Sequence, residues 1–288
     1  MSAPEFAAHG TRQRPQQLLV VIDPLARRID GESVRIAKDV LSAGAPAKIC
    51  LPDTPEEFAR ALARRGHRRP VVIGNDRALL RTVGLLHRER ELADGVLALV
   101  PVGGTGELVL ARSLGVPTDA VAAARAVLDG APRRLDLLVD DSDGVVLGGI
   151  RVPALPPSPE GAGRAGAAPG ASVWGACRSL VRGLVRPAAA GTAAAVAHRL
   201  RVETDGEVLS DLDRPVAGVT VHSPGDGRAE VVVRLPDAPE PLRARAARVT
   251  ISGADFHYGA DARVAGPVRT RTWTLRPEAW SLTLPPAR

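Results

Sequence analysis

Aromatic side chains are nearly missing from this chain, with three Trp, one Tyr and three Phe among 288 residues. Apolar residues still make up 45 %, so Ala, Val, Leu and Gly must do most of the packing. Lysine is almost absent as well, occurring only at Lys38 and Lys48. The cationic side is therefore nearly all arginine, spread along the chain and interleaved with Asp and Glu. Together with abundant Ala, Gly and Pro, this bias suggests a GC-rich, bacterial coding sequence. The two cysteines, Cys50 and Cys177, lie far apart without CxxC or Cys/His spacing. That excludes a disulfide framework and a zinc motif, and implies reduced thiols in a cytoplasmic protein. The six histidines show no pairing at ligand spacing, so no metal site is expected from them. The polar start, Met1 to Gln17, contains no apolar run and is not a signal peptide. Nowhere are there roughly 18 consecutive apolar residues, so no membrane span is expected. Long basic runs and aromatic–basic interleaving are lacking too, so the net charge of +6 does not point to nucleic acid. It points to a solvated arginine-rich surface, or to contact with anionic lipid or phosphate.

What is present divides the chain in two, and 288 residues suffice for two ordinary cores. In the first half, apolar runs of buried-strand length alternate with helical patterns. Leu18–Ile22, Ala47–Leu51, Pro70–Gly74, Gly95–Val100 and Leu135–Val139 read as strands. Helices are expected at Gly31–Leu41, Asp76–Arg88, Gly106–Leu114 and Thr118–Leu128. Another opens at Thr54-Pro55-Glu56-Glu57, with Thr54 as N-cap, Pro55 in first position and Glu57 in third. Strands that are apolar throughout, separated by helices, imply a parallel sheet covered on both faces. Pro153–Gly170 is a Pro/Gly/Ala-rich flexible segment, and Ser172–His198 contains helical stretches. The rest is a series of short strand-like runs, at Leu200–Thr204, Gly218–His222, Ala229–Leu235, Arg248–Ser252, Phe256–Tyr258, Arg271–Leu275 and Trp280–Leu284. Asp-Gly, Pro-Gly and Gly-Pro turns divide them, which is an all-β, sandwich-like pattern. Trp174, Trp273 and Trp280 are expected to pack this half and its junction. The expected domains are an α/β unit over 18–140, the segment 153–170, and a β-rich unit over 171–288.

Ligands of open parallel sheets bind at the carboxyl ends of strands. Here those turns are Asp23-Pro24, Gly74-Asn75-Asp76 and Val102-Gly103-Gly104-Thr105-Gly106. Successive glycines let backbone N–H groups approach an anion closely, and a following helix adds its partial positive charge. By itself such a turn is equally well an ordinary strand-to-helix connection.

The residues around it carry a resemblance. From Pro101 to Pro117 the sequence reads PVGGTGELVLARSLGVP. This is similar to the diacylglycerol kinase catalytic-domain signature Pro-x-Gly-Thr-(Gly/Ala)-Asn-Asp-Phe-Ala-Arg-x-Leu-Gly-Ile-Pro. Pro101, Gly104-Thr105-Gly106 and Ala111 to Pro117 match. One residue is inserted between the halves, and the Asn-Asp pair is replaced within Glu107-Leu108-Val109. Val21-Ile22-Asp23-Pro24 resembles the family's first-strand Asn-Pro motif, with Asp for Asn and no Ser-Gly after it. Gly74-Asn75-Asp76-Arg77-Ala78 stands where the family has Gly-Gly-Asp-Gly-Thr, and Gly130 to Leu137 resembles its Gly-x-x-Arg-x-Ile-Asp-Leu stretch. The likeness is clear over residues 18–140 and looser beyond.

The resemblance implies an α/β domain of the NAD kinase and diacylglycerol kinase type, followed by an all-β sandwich-like domain. It implies ATP-dependent phosphoryl transfer to a lipid hydroxyl, with Mg²⁺ neutralising the phosphates. Asp23, Gly74, Asn75, Asp76, Arg77, Gly103, Gly104, Thr105 and Gly106 would then line the ATP site. The family's late Asp-Gly-Glu motif supplies a carboxylate that activates the lipid hydroxyl. Asp205-Gly206-Glu207 repeats the motif literally but lies early, where an Asp-Gly hairpin turn is the structural reading. Asp261-Ala262-Arg263 lies in the expected place, but with Arg263 where the carboxylate belongs. No catalytic residue and no metal ligand is therefore assigned. Arg77 in a glycine position could bind phosphate, fill the pocket or point into solvent. The chain reads either as a lipid kinase or as a non-catalytic descendant that binds nucleotide, phosphate, lipid or a protein partner. A lipid substrate or a membrane surface is the expected contact, and the expected location is cytoplasmic or peripheral at the membrane.

Overall fold

The computed structural model describes residues 17–154, 197–261 and 263–286. Most of the flexible segment expected at 153–170, the helical stretches before His198, Trp174 and Cys177 lie outside the described residues.

The first half alternates strand and helix. Its elements are β1 (Leu18–Ile22), α1 (Pro24–Ile29), α2 (Gly31–Gly44), β2 (Ala47–Cys50), α3 (Pro55–Ala63), β3 (Arg69–Gly74), α4 (Asp76–Arg88) and β4 (Val96–Pro101). A single 3₁₀ turn (Thr105–Glu107), α5 (Val109–Ser113) and α6 (Ala120–Asp129) follow. The strands run parallel in the order β2-β1-β3-β4. Because side chains alternate along a strand, β1 serves two cores at once. Leu19 and Val21 pack with Phe58, Leu62, Leu79, Val83 and Leu86 of α3 and α4. Leu18, Val20 and Ile22 pack on the other face with Ala26, Val34, Ala37 and Leu41 of α1 and α2, and with Ala123 and Val127 of α6. The α3 cap forms as its sequence dictates, with Glu57 N–H donating to Thr54 Oγ1 at 3.2 Å.

The second half is antiparallel. It comprises β5 (Ala131–Asp140), β6 (Val145–Val146), β7 (Ile150–Val152), β8 (Leu200–Thr204), β9 (Glu207–Ser210), β10 (Gly218–His222), β11 (Ala229–Arg234), β12 (Leu242–Ala246), β13 (Arg248–Ala260) and β14 (Arg263–Leu284). Inward-facing Val202, Val221, Val231 and Ile251 meet Trp273 in a separate core. Tyr258 stands edge-on to Trp273, ring centroids 5.1 Å apart.

Two differences from the sequence reading have a common cause. Arg248–Ser252 and Phe256–Tyr258 are one strand, β13, and Arg271–Leu275 and Trp280–Leu284 are one strand, β14. Register shifts after Ser252 and between Arg276 and Trp280 interrupt the alternation that separated them. In β14 the interruption is Pro277-Glu278, where Pro cannot donate to the ladder and Glu278 has φ 48°. Beyond it the chain re-enters the first half: Ser281 and Leu282 pair parallel with Val96 and Leu97 of β4. Trp280, Leu282 and Leu284 are buried in the core beneath α4. The strands thereby form one continuous 14-stranded sheet. Among the described residues, no helix is long and apolar enough to cross a membrane.

Candidate functional site

The three turns singled out in the sequence meet at the carboxyl edge of the parallel strands. Asp23 N–H donates to Ile73 O at 2.9 Å, and Val102 N–H to Gly74 O at 3.0 Å, tying each turn to its neighbour. The carboxylates and the amide of these turns are engaged by the chain itself.

Asp23, 5 % exposed, is the N-cap of α1, accepting from Leu25 N–H at 2.8 Å through Oδ1. Its Oδ2 accepts from Arg81 Nη1 at 3.0 Å, while the Arg81 guanidinium lies 5.5 Å above the centre of the Phe58 ring. Gly74 is glycine because space requires it: a Cβ there would fall 2.7 Å from Ala78 Cβ and 3.0 Å from Asp23 Cβ. Asn75 caps α4, its Oδ1 accepting from the N–H groups of Arg77 at 3.2 Å and Ala78 at 3.3 Å.

Asp76 is 3 % exposed, and its carboxylate accepts from Leu110 N–H at 2.7 Å and Ala111 N–H at 2.9 Å. It thus caps α5 from the first position of α4. Burial raises its pKa, opposed by these donors and by Arg112. Of the three outcomes open to Arg77, filling the pocket is not the one observed. Arg77 is an exposed residue in the first turn of α4 with ordinary helical backbone, so the glycine position imposes no strain on it.

The glycine-rich turn is closed by its own third residue. Glu107 Oε2 accepts from Gly104 N–H at 3.1 Å, and Glu107 N–H donates back to Gly104 O at 2.8 Å. A Cβ on Gly103 would sit 3.1 Å from that same Oε2 and 3.2 Å from Asn75 Cβ, so the carboxylate lies over the glycines. Thr105 and Gly106 are exposed, and Thr105 O accepts from Arg112 Nη2. The spacing Gly104-x-x-Glu107 is that of a capping box, which is the sequence signal that would have found this closure.

Both late carboxylates hold turns. Asp205 and Gly206, with φ of 51° and 93°, make the hairpin between β8 and β9, the structural reading expected of Asp-Gly. The Asp205 carboxylate accepts from Ala247 N–H at 2.9 Å and Arg248 N–H at 2.8 Å. Asp261, at the tip of the β13–β14 hairpin, accepts from the N–H groups of Leu147, Gly148 and Gly149 at 2.9, 2.6 and 3.1 Å. Burial raises its pKa against those three donors. The held loop touches α5, since a Cβ on Gly148 would lie 3.2 Å from Leu110 Cδ1. Asp261 therefore stands beside the turns of the first half, as its place in the chain suggests, while Arg263 is exposed.

These residues do not fit ATP and Mg²⁺ well. Two carboxylates, Glu107 and Asp76, occupy backbone donors of the glycine turn and of the helix behind it. Among the described residues, no three His, Cys, Asp or Glu side chains come together, although Mg²⁺ at a nucleotide is held by only one or two carboxylates together with the phosphates.

No protein-family model matches the chain, and no curated protein matches it. Solved structures do. A crystal structure of a diacylglycerol kinase from Bacillus anthracis str. Sterne superposes with a TM-score of 0.70 at 13 % identity, covering 96 % of this chain and 99 % of that one. Two further structures assigned as diacylglycerol kinases from the same organism give TM-scores of 0.70 and 0.68 at 15 % and 14 % identity, with the same coverage. At such identities the likeness speaks for architecture, and over nearly its whole length this chain has the fold of the diacylglycerol kinases.

Proposed function

We propose that this chain is a kinase-fold protein that does not transfer phosphoryl groups and acts by binding. One observation carries the reading: the carboxylates of these turns and of the late hairpin are all engaged by their own chain. Asp23 is held by Leu25 N–H and Arg81, Asp76 by Leu110 and Ala111, Glu107 by Gly104, and Asp261 by three N–H groups. Phosphoryl transfer to a hydroxyl needs a base within hydrogen-bond reach of that hydroxyl and cations at the phosphates. Here the lone pairs of Asp261 are directed at backbone, and an arginine follows where the resemblance calls for a carboxylate. The net charge of +6 makes an anionic lipid surface the favoured contact. The coverage of whole diacylglycerol kinase structures supports a second reading, ATP-dependent phosphorylation of a lipid alcohol.

Labelled phosphate transfer from Mg-ATP to diacylglycerol or sphingoid alcohols in mixed micelles separates the two. The expected result is no product above a protein-free control; stoichiometric or faster turnover establishes the kinase reading instead. Co-sedimentation with phosphatidylglycerol vesicles, and none with phosphatidylcholine vesicles, is the expected sign of the lipid contact.

A further inference from the structure

We infer that Glu107 is a built-in anion that seals the glycine turn against phosphate, so that this one side chain sets the ligand charge the turn accepts. Gly103 and Gly104 bare the backbone between β4 and the 3₁₀ turn, and a bare N–H in such a turn is a receptor for negative charge. The Gly104 N–H already has a negative partner, Glu107 Oε2 at 3.1 Å. The same oxygen lies where a Cβ of Gly103 would nearly touch it, at 3.1 Å. It therefore covers the face of the turn that the missing side chains leave open.

A second carboxylate acts just behind it. The N–H groups of Leu110 and Ala111 at the start of α5, which would otherwise add to the positive character of the turn, donate to Asp76. Arg112, the nearest cation in sequence, is exposed and donates to Thr105 O and to Leu108 O at 3.0 Å. An incoming phosphate would thus have to displace one carboxylate and approach another, with Arg112 already committed to carbonyl groups. Like charges at contact distance repel, weakly in bulk water and several-fold more strongly near a protein surface. In the resembling signature this region carries a neutral Asn beside its Asp, and Glu107 falls within the replaced stretch.

The competing account is that Glu107 merely caps a 3₁₀ turn, as a capping box does anywhere. The two accounts differ in what happens to added anion when the charge is removed and the turn is kept. Glu107→Gln retains an acceptor for Gly104 N–H without the charge, and Glu107→Ala frees the N–H altogether. Pyrophosphate and Mg-ATP are titrated into the full chain and both variants at constant ionic strength, by calorimetry, with the Gly104 amide resonance followed by NMR. The native chain is expected to show no saturable binding at millimolar ligand. Both variants are expected to gain affinity by on the order of tenfold or more, from loss of one repelling charge at contact distance, with a saturable shift at Gly104. Saturable binding to the native chain as tight as to Glu107→Gln overturns the inference, as does failure of both folded variants to bind. Glu107→Gln preserves the turn's hydrogen bond, so the test survives if the alanine variant does not fold. The inference rests on the non-catalytic reading only for the native chain's indifference to nucleotide. Mg-ATP binding without transfer would overturn this inference alone, and transfer to lipid would overturn that reading.

Discussion

Replacing Asp76 tests whether the most buried carboxylate of the site is a structural joint or a ligand residue. In Asp76→Ala the N–H groups of Leu110 and Ala111, residues 6 % and 0 % exposed, lose their acceptor. Each buried donor left without a partner costs about 1–3 kcal/mol. Partial relaxation of α5, only Val109–Ser113 long, brings the expected total to about 2–4 kcal/mol. With urea slopes of roughly 1–3 kcal/mol per molar, the unfolding midpoint should fall by about 1–2 M. Fluorescence of the buried Trp273 and Trp280 would follow the transition. Hydrogen exchange at the Leu110 and Ala111 amides should accelerate more than at Val71 or Val72 in β3. A loss below about 0.5 kcal/mol, the range of an indifferent surface change, would refute the cap. So would unchanged stability with altered anion binding, which would make Asp76 a ligand residue.

The titration of Asp76 gives the same experiment a sign. Burial raises its pKa in the fold, above an unfolded value of about 4, so the folded chain holds this proton more tightly than the unfolded chain. The part of its contribution that is linked to this proton is complete below about pH 4 and is lost as pH rises through the folded pKa, while the hydrogen bonds to Leu110 and Ala111 remain. Asp76→Asn cannot titrate. The stability gap between the native chain and Asp76→Asn should therefore narrow as pH rises from about 4 toward neutrality, and a widening gap would contradict the assignment.

Gly74→Ala forces a Cβ to 2.7 Å from Ala78 Cβ, and overpacking of this kind should cost about 1–3 kcal/mol by urea denaturation. Arg77→Gly, which restores the signature's glycine, should destabilise α4 by up to about 1 kcal/mol and not relieve strain, because Arg77 is already helical; a gain in stability would show that the arginine is strained. Asp205→Ala removes the acceptor of Ala247 and Arg248 N–H and places alanine at φ 51°. It should cost about 1–2 kcal/mol while leaving vesicle binding unchanged, as suits a turn residue and not a base.

Local chemistry made part of this legible in the sequence. Five apolar residues in a row at Leu18–Ile22 require burial on both faces, and β1 is covered by helices on both. Thr54-Pro55-Glu57 carries its own cap, and it forms. The turn glycines and Asp-Gly 205–206 were identifiable because their demands are settled within a few residues. The unread parts depend on partners far away. Nothing near Asp76 announces that its carboxylate will meet N–H groups 34 and 35 positions later. Nothing in Trp280–Leu284 by itself shows that it completes the first sheet instead of the second core, since both need the same alternation. Glu107 is the intermediate case: its partner is three residues away, but the family likeness drew attention to the phosphate that such a loop receives and not to the side chain that could replace it.

A fold of this type can lose its chemistry without losing its turns, because the two make the same demand on the backbone. Bare N–H groups buried at the carboxyl edge of a parallel sheet, like those of Leu110 and Ala111, are costly when nothing accepts from them. A bound phosphate is one solution, and a carboxylate from the chain is another. The second needs no ligand and no reorganisation, and it can join neighbouring elements, as Asp76 joins α4 to α5 and Asp261 joins the late hairpin to the loop beside α5. At Gly104 the hydrogen bond that caps the turn also takes one directed donor that would otherwise be open to an anion. On this account stability and ligand affinity at Gly103–Glu107 should trade against each other within one side chain. Glu107→Ala, if it loses stability as it gains anion binding, would show that trade directly, whereas a variant that gains both would mean that the seal is not what holds the turn.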